Sequence, residues 1–317
     1  MGGLPSDGRL NNEFLYYWLL SQREVFEKVA NGSTIKTIGL GYFRRLKLAL
    51  PSISEQRRIA EILRTWDEAI ETTEQLIAAK EVSLRGEAYQ LLFGGRRFNA
   101  RKSASFQDYR WYRFPSDWEC VQIGDVAHQA GETNVGGAAV TVLSCTKHGG
   151  LVESLSYFGR QIFSEDTSNY KVVRRGQFAY ATNHLEEGSI GYLDFLNVGL
   201  VSPIYTAFQT DRSRVHDPYL LKVFKTATFL HIFQANTSAS VYRRGGLRWD
   251  DFAKIRVPLP SVDEQLEISD FIDTGRQEIT LLKHQRDALA KQKRGLMQKL
   301  LTGEWPVSVP KSQEAAE

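Results

Sequence analysis

A chain of 317 residues with 42% hydrophobic and 24% charged residues has the balance of a globular protein with a sizeable core, which excludes a disordered or fibrous chain. Its net charge of +3 permits a polyanionic partner without demanding one. The two cysteines, Cys120 and Cys145, exclude a disulfide framework and match no metal-ligand spacing.

No apolar run approaches the ~20 residues of a membrane span. The start Met1-Gly2-Gly3-Leu4-Pro5 lacks a basic-then-apolar signal peptide. The expectation is a cytoplasmic protein with buried thiols and no membrane partner.

Along the chain, residues 12–30 read as an amphipathic helix, 31–42 as a polar loop, and 43–50 as a strand with alternating apolar residues. After Pro51, Ile59, Ile62, Trp66, Ile70, Ile77, Leu84, Ala88 and Leu91 recur at helical spacing. Ser54 is the candidate N-cap, and Gly94 stands where a helix would end. Gly94-Gly95-Arg96-Arg97 through Ser103-Ala104-Ser105 is a basic, glycine- and serine-containing connector.

Residues 110–260 are strand-rich. Val140–Leu143, Tyr170–Val173, Phe178–Tyr180, Ser189–Tyr192 and Val201–Tyr205 are short runs set off by glycines and polar turns. They predict one α+β domain. A second helical pattern then carries Ile268, Phe271, Ile279, Leu282, Leu289, Leu296 and Leu300 up to Gly303, before a polar tail.

The second helical pattern repeats the first. Leu50-Pro51…Glu55-Gln56…Ile59 returns as Leu259-Pro260…Glu264-Gln265…Ile268, and the 209-residue offset between Pro51 and Pro260 holds without a gap to Gly94 and Gly303. The lead-in Phe14-Leu15-Tyr16 resembles Tyr219-Leu220-Leu221, here at an offset of 205. About forty residues at a 1.5 Å rise make each helix roughly 60 Å long. A single narrow stripe of that length is not buried by the helix itself. The two helices are expected to pair as an antiparallel coiled coil, the alternative being that each stripe packs on its neighbouring domain.

With these residues in view, the chain resembles the specificity subunits of type I restriction–modification systems. The twice-repeated Leu-Pro-x-x-x-Glu-Gln-x-x-Ile resembles the family's junction between a target-recognition domain and its spacer helix. Phe114-Pro115-Ser116-Asp117-Trp118-Glu119 resembles the opening of such a domain. Leu143-Ser144-Cys145-Thr146, Ser168–Val173, Gly188–Gly191 and Gly199–Tyr205 resemble one variety of it. The resemblance implies an α+β fold in which a strand-rich target-recognition domain is flanked by two long helices forming an antiparallel coiled coil. Residues 1–50 correspond to the C-terminal remnant of a first recognition domain, 51–95 to the first spacer helix and 96–109 to a connector. Residues 110–260 correspond to a complete recognition domain, 261–303 to the second spacer helix and 304–317 to a tail. The family plan has two complete recognition domains, so a short or fragmentary form is expected.

The resemblance further implies double-stranded DNA as partner, read one half-site per domain. Type I methyltransferase (modification) subunits would dock on the chain, a restriction/translocase subunit would join indirectly, and a homodimer through the long helices would supply a second half-site. Reading bases takes Arg or Lys on guanine and Asn or Gln on adenine. The candidates are Lys147, His148, Arg160, Gln161, Asn183, Tyr242, Arg243, Arg244 and, just beyond them, Arg248. Each also suits a solvated turn. Arg174-Arg175-Gly176 reads as a hairpin turn with incidental phosphate contact.

The expected subunit is non-catalytic. Asp217-Pro218-Tyr219 lacks the second proline of a methyltransferase tetrapeptide, no phosphate-binding Gly-x-x-x-x-Gly-Lys-Ser/Thr loop occurs, and no histidines pair at metal spacing. Neither a cofactor nor a metal is called for. The competing expectation is a coiled-coil assembly protein without sequence-specific DNA binding.

Overall fold

The computed structural model describes residues 9–30, 36–98, 105–238 and 246–308. In chain order, α1 (Asn12–Ser21), α2 (Arg23–Val29) and the single turn α3 (Leu40–Phe43) lead to α4 (Ile53–Leu92). The strands β1 (Phe106–Tyr109), β2 (Tyr112–Pro115), β3 (Glu119–Gln122), β4 (Ala127–Ala130), β5 (Glu132–Thr133), β6 (Leu143–Thr146) and β7 (Gly150–Glu153) follow. After α5 (Ser154–Phe158) come β8 (Lys171–Arg174), β9 (Phe178–Ala181), β10 (Ile190–Tyr192), β11 (Val198–Val201) and β12 (Tyr205–Thr210). The chain closes with α6 (Asp217–Phe224), α7 (Ala227–Ser238), α8 (Trp249–Phe252), β13 (Arg256–Leu259) and α9 (Val262–Leu301). Among the described residues no helix is long and apolar enough to cross a membrane.

Two compact units divide these elements, residues 1–82 with 277–317 and residues 83–276. In the first unit, α1 and the facing parts of α4 and α9 bury Phe14, Tyr17, Ile59, Leu63, Met297 and Leu300. Asp67 accepts from Tyr17 Oη at 2.8 Å and pairs with Lys293, whose ammonium lies 4.9 Å from the Tyr17 ring centre. Lys80–Glu278 (2.7 Å) and Lys283–Glu81 (2.6 Å) continue the seam. Asp67 meets Lys293, whereas Lys80 and Glu81 further along α4 meet the earlier Glu278 and Lys283 of α9, so the helices run antiparallel. The segment expected as one helix over 12–30 breaks at Gln22, whose φ of −88° and ψ of 3° leave the helical region.

In the second unit, a four-stranded antiparallel sheet of order β10-β9-β12-β4 is the centre. Period-two alternation sends Phe178 and Tyr180 to one face of β9 and Ala179 to the other. Phe178, Tyr180 and Phe208 pack with Phe224, Phe233 and Phe252 of α6–α8. The opposite face takes the β6–β7 hairpin through Leu143, Cys145 and Leu151. Contact there is close enough to require Gly191, because a Cβ at that position would lie 2.2 Å from the Leu151 nitrogen. A second sheet, β11-β8-β5, and the pairs β1–β2 and β13–β3 complete the unit. The turn at Arg174–Gly176 therefore joins strands of two different sheets and is not the expected hairpin.

Both units contain the same cassette. α8 and α9 lie 209 residues after α3 and α4 with identical lengths, and the repeated motif makes identical contacts. Gln56, fully buried, donates through Nε2 to the Arg9 and Pro51 carbonyls (both 2.9 Å) and accepts from the Asn11 N–H at 2.8 Å. Gln265, also fully buried, donates to the Arg214 and Pro260 carbonyls (both 2.9 Å) and accepts from the His216 N–H at 2.7 Å. Each glutamine thus ties the start of a long helix to the chain entering the cassette's first helix. Helix capping falls to Ser52, not Ser54. Ser52 and Glu55 exchange side-chain bonds with each other's backbone N–H at 2.9 and 3.3 Å, a capping box.

Candidate nucleic-acid interface

Three turns of the second unit meet at one end of its central sheet. The first is Lys147–Gly149, at the tip of the β6–β7 hairpin. The second runs from Thr182 to Gly188 between β9 and β10 and holds a 3-10 turn, Leu185–Glu187. The third is the segment 246–248 entering α8. Lys225, one residue past α6, fastens the first two, since its Nζ donates to the Lys147 carbonyl at 3.0 Å and also to the Gly188 carbonyl. The third joins through the Leu247 N–H, which donates to the Thr182 carbonyl at 2.8 Å.

Lys147, His148, Asn183, His184 and Arg248 are exposed on these turns. Burial lowers the Lys225 ammonium below the ordinary lysine range, with the nearby Cys145 acting in the opposite sense. The Cys145 thiol beneath the hairpin is pushed up to about 12 by its own burial, which removes it from nucleophilic chemistry.

Four of the residues expected to face DNA, Lys147, His148, Asn183 and Arg248, therefore fall in one region. Arg160 and Gln161 do not join them. They follow α5, at the opposite end of β7 from the hairpin tip, and four residues of strand separate the two ends by roughly 13 Å. Tyr242, Arg243 and Arg244 lie outside the described residues. Arg174 and Arg175 are held by the protein itself. Arg174 Nη2 reaches Glu132 at 2.7 Å, while Arg175 bonds Asn197 Oδ1 at 3.2 Å and the Asp194 carbonyl.

Sequence reasoning missed the role of Lys225, because a lysine ending a helix gives no sign of which carbonyls it will meet. Among the described residues one trio of possible metal ligands falls together, His184, Glu186 and Glu187, within 4.8 Å of one another. His184 Nδ1 lies 3.1 Å from Glu187 Oε1, and both side chains are more than half exposed. That is the geometry of a surface hydrogen-bonded pair.

A second polar arrangement anchors the domain to its helix. Arg97 forms a bidentate pair with Glu264 (Nε–Oε1 and Nη2–Oε2, both 2.7 Å), with side-chain exposures of 8% and 3%. The same guanidinium binds Asp117 at 2.8 Å and lies 5.7 Å from the Trp118 ring centre. The Asp117-Trp118 pair that opens the strand-rich domain is thereby locked to the Glu of the repeated motif.

The second unit is thus a strand-rich domain with polar turns gathered at one end, tied to the start of its own long helix by Gln265. A family model described as the type I restriction modification DNA specificity domain matches residues 4–81. The type I restriction enzyme MjaVIII specificity subunit of Methanocaldococcus jannaschii is 22% identical over 309 residues, covering 93% of this chain and 70% of that protein. A putative type I specificity subunit of Mycoplasma pneumoniae is 40% identical over 82 residues, 26% of this chain and 22% of that protein.

Among solved structures, the S subunit of a type I restriction–modification system from M. genitalium superposes with a TM-score of 0.53 at 18% identity, over 94% of this chain and 74% of that one. The HsdS subunit from Thermoanaerobacter tengcongensis gives 0.52 at 16%, over 93% and 71%. The chain is thus similar to type I restriction–modification specificity subunits over most of its length, and the family model itself matches residues 4–81.

Proposed function

We propose that this chain is a non-catalytic DNA-recognition subunit whose second unit reads one half of a split double-stranded target. The observation that carries the reading is the convergence of Lys147, His148, Asn183 and Arg248 on three turns, two of them tied together by Lys225 and the third joined through the Leu247 N–H. Lysine and arginine match the guanine O6 and N7 acceptors, and asparagine matches the adenine N6–N7 edge. A rigid sheet beneath the turns fixes those side chains before DNA arrives.

In this reading residues 110–260 are the complete recognition domain, and residues 1–50 are the end of another. Arg160 and Gln161, away from these turns, and the Tyr242-Arg243-Arg244 segment are proposed as further DNA contacts. The long helices serve as spacer and as platform for methyltransferase subunits, with the restriction/translocase subunit joining through them. Leu76, Val82 and Leu281, exposed by 43, 68 and 68% on the helices of the first unit, offer an apolar surface for a methyltransferase subunit or a second copy. The site of action is the cytoplasm, with no cofactor of the chain's own.

Selection from a random DNA library, with and without a methyltransferase subunit, tests the reading. Enrichment of a half-site supports base recognition. Uniform, salt-sensitive binding would instead make the chain an assembly protein.

A further inference from the structure

A second set of basic and aromatic side chains adjoins the reading turns. α7 packs along the 3-10 turn Leu185–Glu187. Its Leu230 closes on Gly188, where a Cβ would lie 3.4 Å from Leu230 Cδ2 and 3.6 Å from the Lys147 carbonyl. The next residue of α7, His231, is exposed and has a different neighbour. Its ring stands edge to face with Trp111, the centres 5.2 Å apart and the planes at 77°. Trp111 in turn carries Arg110, whose guanidinium carbon lies 4.5 Å from the indole centre.

Local structure holds this group in place. Tyr109 and Tyr112 are paired across β1 and β2, so Arg110-Trp111 is the two-residue tip of a tight hairpin. Tyr112 stacks on Phe229 of α7 at 5.8 Å, which fixes the hairpin on the helix. Trp111 packs partly buried against the core and forms a shelf for the cation above it. Arg110 itself is exposed, and among the described residues no carboxylate or hydrogen-bond acceptor engages its guanidinium. Arg113 of the same hairpin differs, lying 3.6 Å from Asp108 and 5.0 Å from the Phe106 ring centre.

A major groove about 12 Å wide is bordered on each side by a row of phosphates. Turns that enter the groove bring their flanking structure onto those rows, and such contacts fix the register in which bases are read. An arginine held over an aromatic face keeps its N–H groups free, and their fork matches two phosphate oxygens. We propose that Arg110, seated on Trp111 with His231 beside it, binds a backbone phosphate of the DNA at the edge of the groove. Trp111 is a positioning residue that acts through Arg110. The inference rests on DNA binding by the second unit, not on which bases the turns read.

The test measures duplex affinity of the full chain, alone and with a methyltransferase subunit, by fluorescence anisotropy between about 50 and 200 mM salt. One duplex carries the half-site enriched from the random library, and another carries a scrambled sequence. Arg110→Gln should weaken both by the same factor, about tenfold at 50 mM salt. Its slope of log K against log salt should be shallower by about 0.9, so the penalty shrinks about 3.5-fold by 200 mM. Trp111→Leu should give a loss of the same kind that disappears in the Arg110→Gln background, and Arg110→Lys should keep the wild-type slope. Arg113→Gln removes equal charge from the same hairpin and should leave affinity and slope unchanged. Thermal melting checks that each variant is folded.

An unchanged slope in Arg110→Gln overturns the proposal. So does a loss confined to one base position, which would make Arg110 a base reader, or an equal loss from Arg113→Gln, which would make the effect one of net charge. A Trp111→Leu loss that adds in full to that of Arg110→Gln removes the shelf from the proposal. Uniform binding with the Arg110 effect intact would sink base reading and leave the phosphate contact standing, whereas a chain that binds no duplex in either form would sink both.

Discussion

Gln265→Ala tests whether the repeated glutamine is the clamp that its contacts describe. The side chain is fully buried and makes three hydrogen bonds of 2.7 to 2.9 Å, all to backbone groups. At about 1 kcal/mol net for each bond, with a further contribution from the cavity, the loss is about 3–5 kcal/mol. For a unit of this size that lowers the melting temperature by ~10 °C. Urea unfolding followed by tryptophan fluorescence measures the loss, and hydrogen exchange at the His216 amide locates it, since that amide should lose protection first.

Gln265→Glu sharpens the test, because a carboxylate would face the Arg214 and Pro260 carbonyls with no proton to donate. Burial and those two oxygens raise its folded-state pKa above the ~4.3 of an exposed glutamate. Relative to wild type, the variant is therefore least impaired below that pH and loses stability as pH rises through the raised value. A Gln265→Ala cost under about 1 kcal/mol, or a Gln265→Glu variant equal to wild type at neutral pH, would refute the clamp.

Arg97→Met leaves Glu264 buried without its bidentate partner, at a cost of about 3–5 kcal/mol. The double variant Arg97→Met/Glu264→Gln should recover more than half of that in the same urea titration. Maleimide counting at pH 8 should leave Cys145 unmodified in the folded chain, its thiol held protonated by burial with a pKa of about 12, and modification should follow unfolding. Lys147→Ala should cost roughly 1–3 kcal/mol at one base position if the lysine reads guanine. An equal loss on every sequence, with the salt slope shallower by about one, would make it a phosphate contact.

The long helices were legible because their signal is local and extended. A stripe of Ile, Leu and Phe over forty residues, bracketed by Pro51 and Gly94 or Pro260 and Gly303, leaves few alternatives. The pairing of Asp67 with Lys293 was not legible, since nothing in either helix names its partner across more than two hundred residues. Among the strands, β8, β9 and β10 stood out as short β-branched or aromatic runs between glycines. β12 was lost because Pro203 interrupts the Val201–Tyr205 run, so β11 ends at Val201 and a new strand starts at Tyr205. The gathering of Lys147, Asn183 and Arg248 is a product of tertiary packing. Their residue types were visible in the sequence, but their meeting depends on Lys225 and on the backbone bond from Leu247 to Thr182.

Residues 43–50 carry the most instructive mismatch. Their alternation is that of a strand, and the equivalent segment Arg256–Leu259 is one, yet residues 46–52 take no regular structure. The difference lies outside both segments. A strand needs a neighbour for its backbone groups, and β3 supplies one only to the second copy. The period-two pattern alone therefore does not make a strand. The same reasoning separates Phe43 from Phe252. The two occupy one position in one cassette, and Phe252 is buried because Tyr180 and Phe208 of the central sheet pack on its ring, whereas Phe43 is 43% exposed. Sequence patterning of this kind is conditional on contact, which is why one pattern gives a strand in the second unit and none in the first.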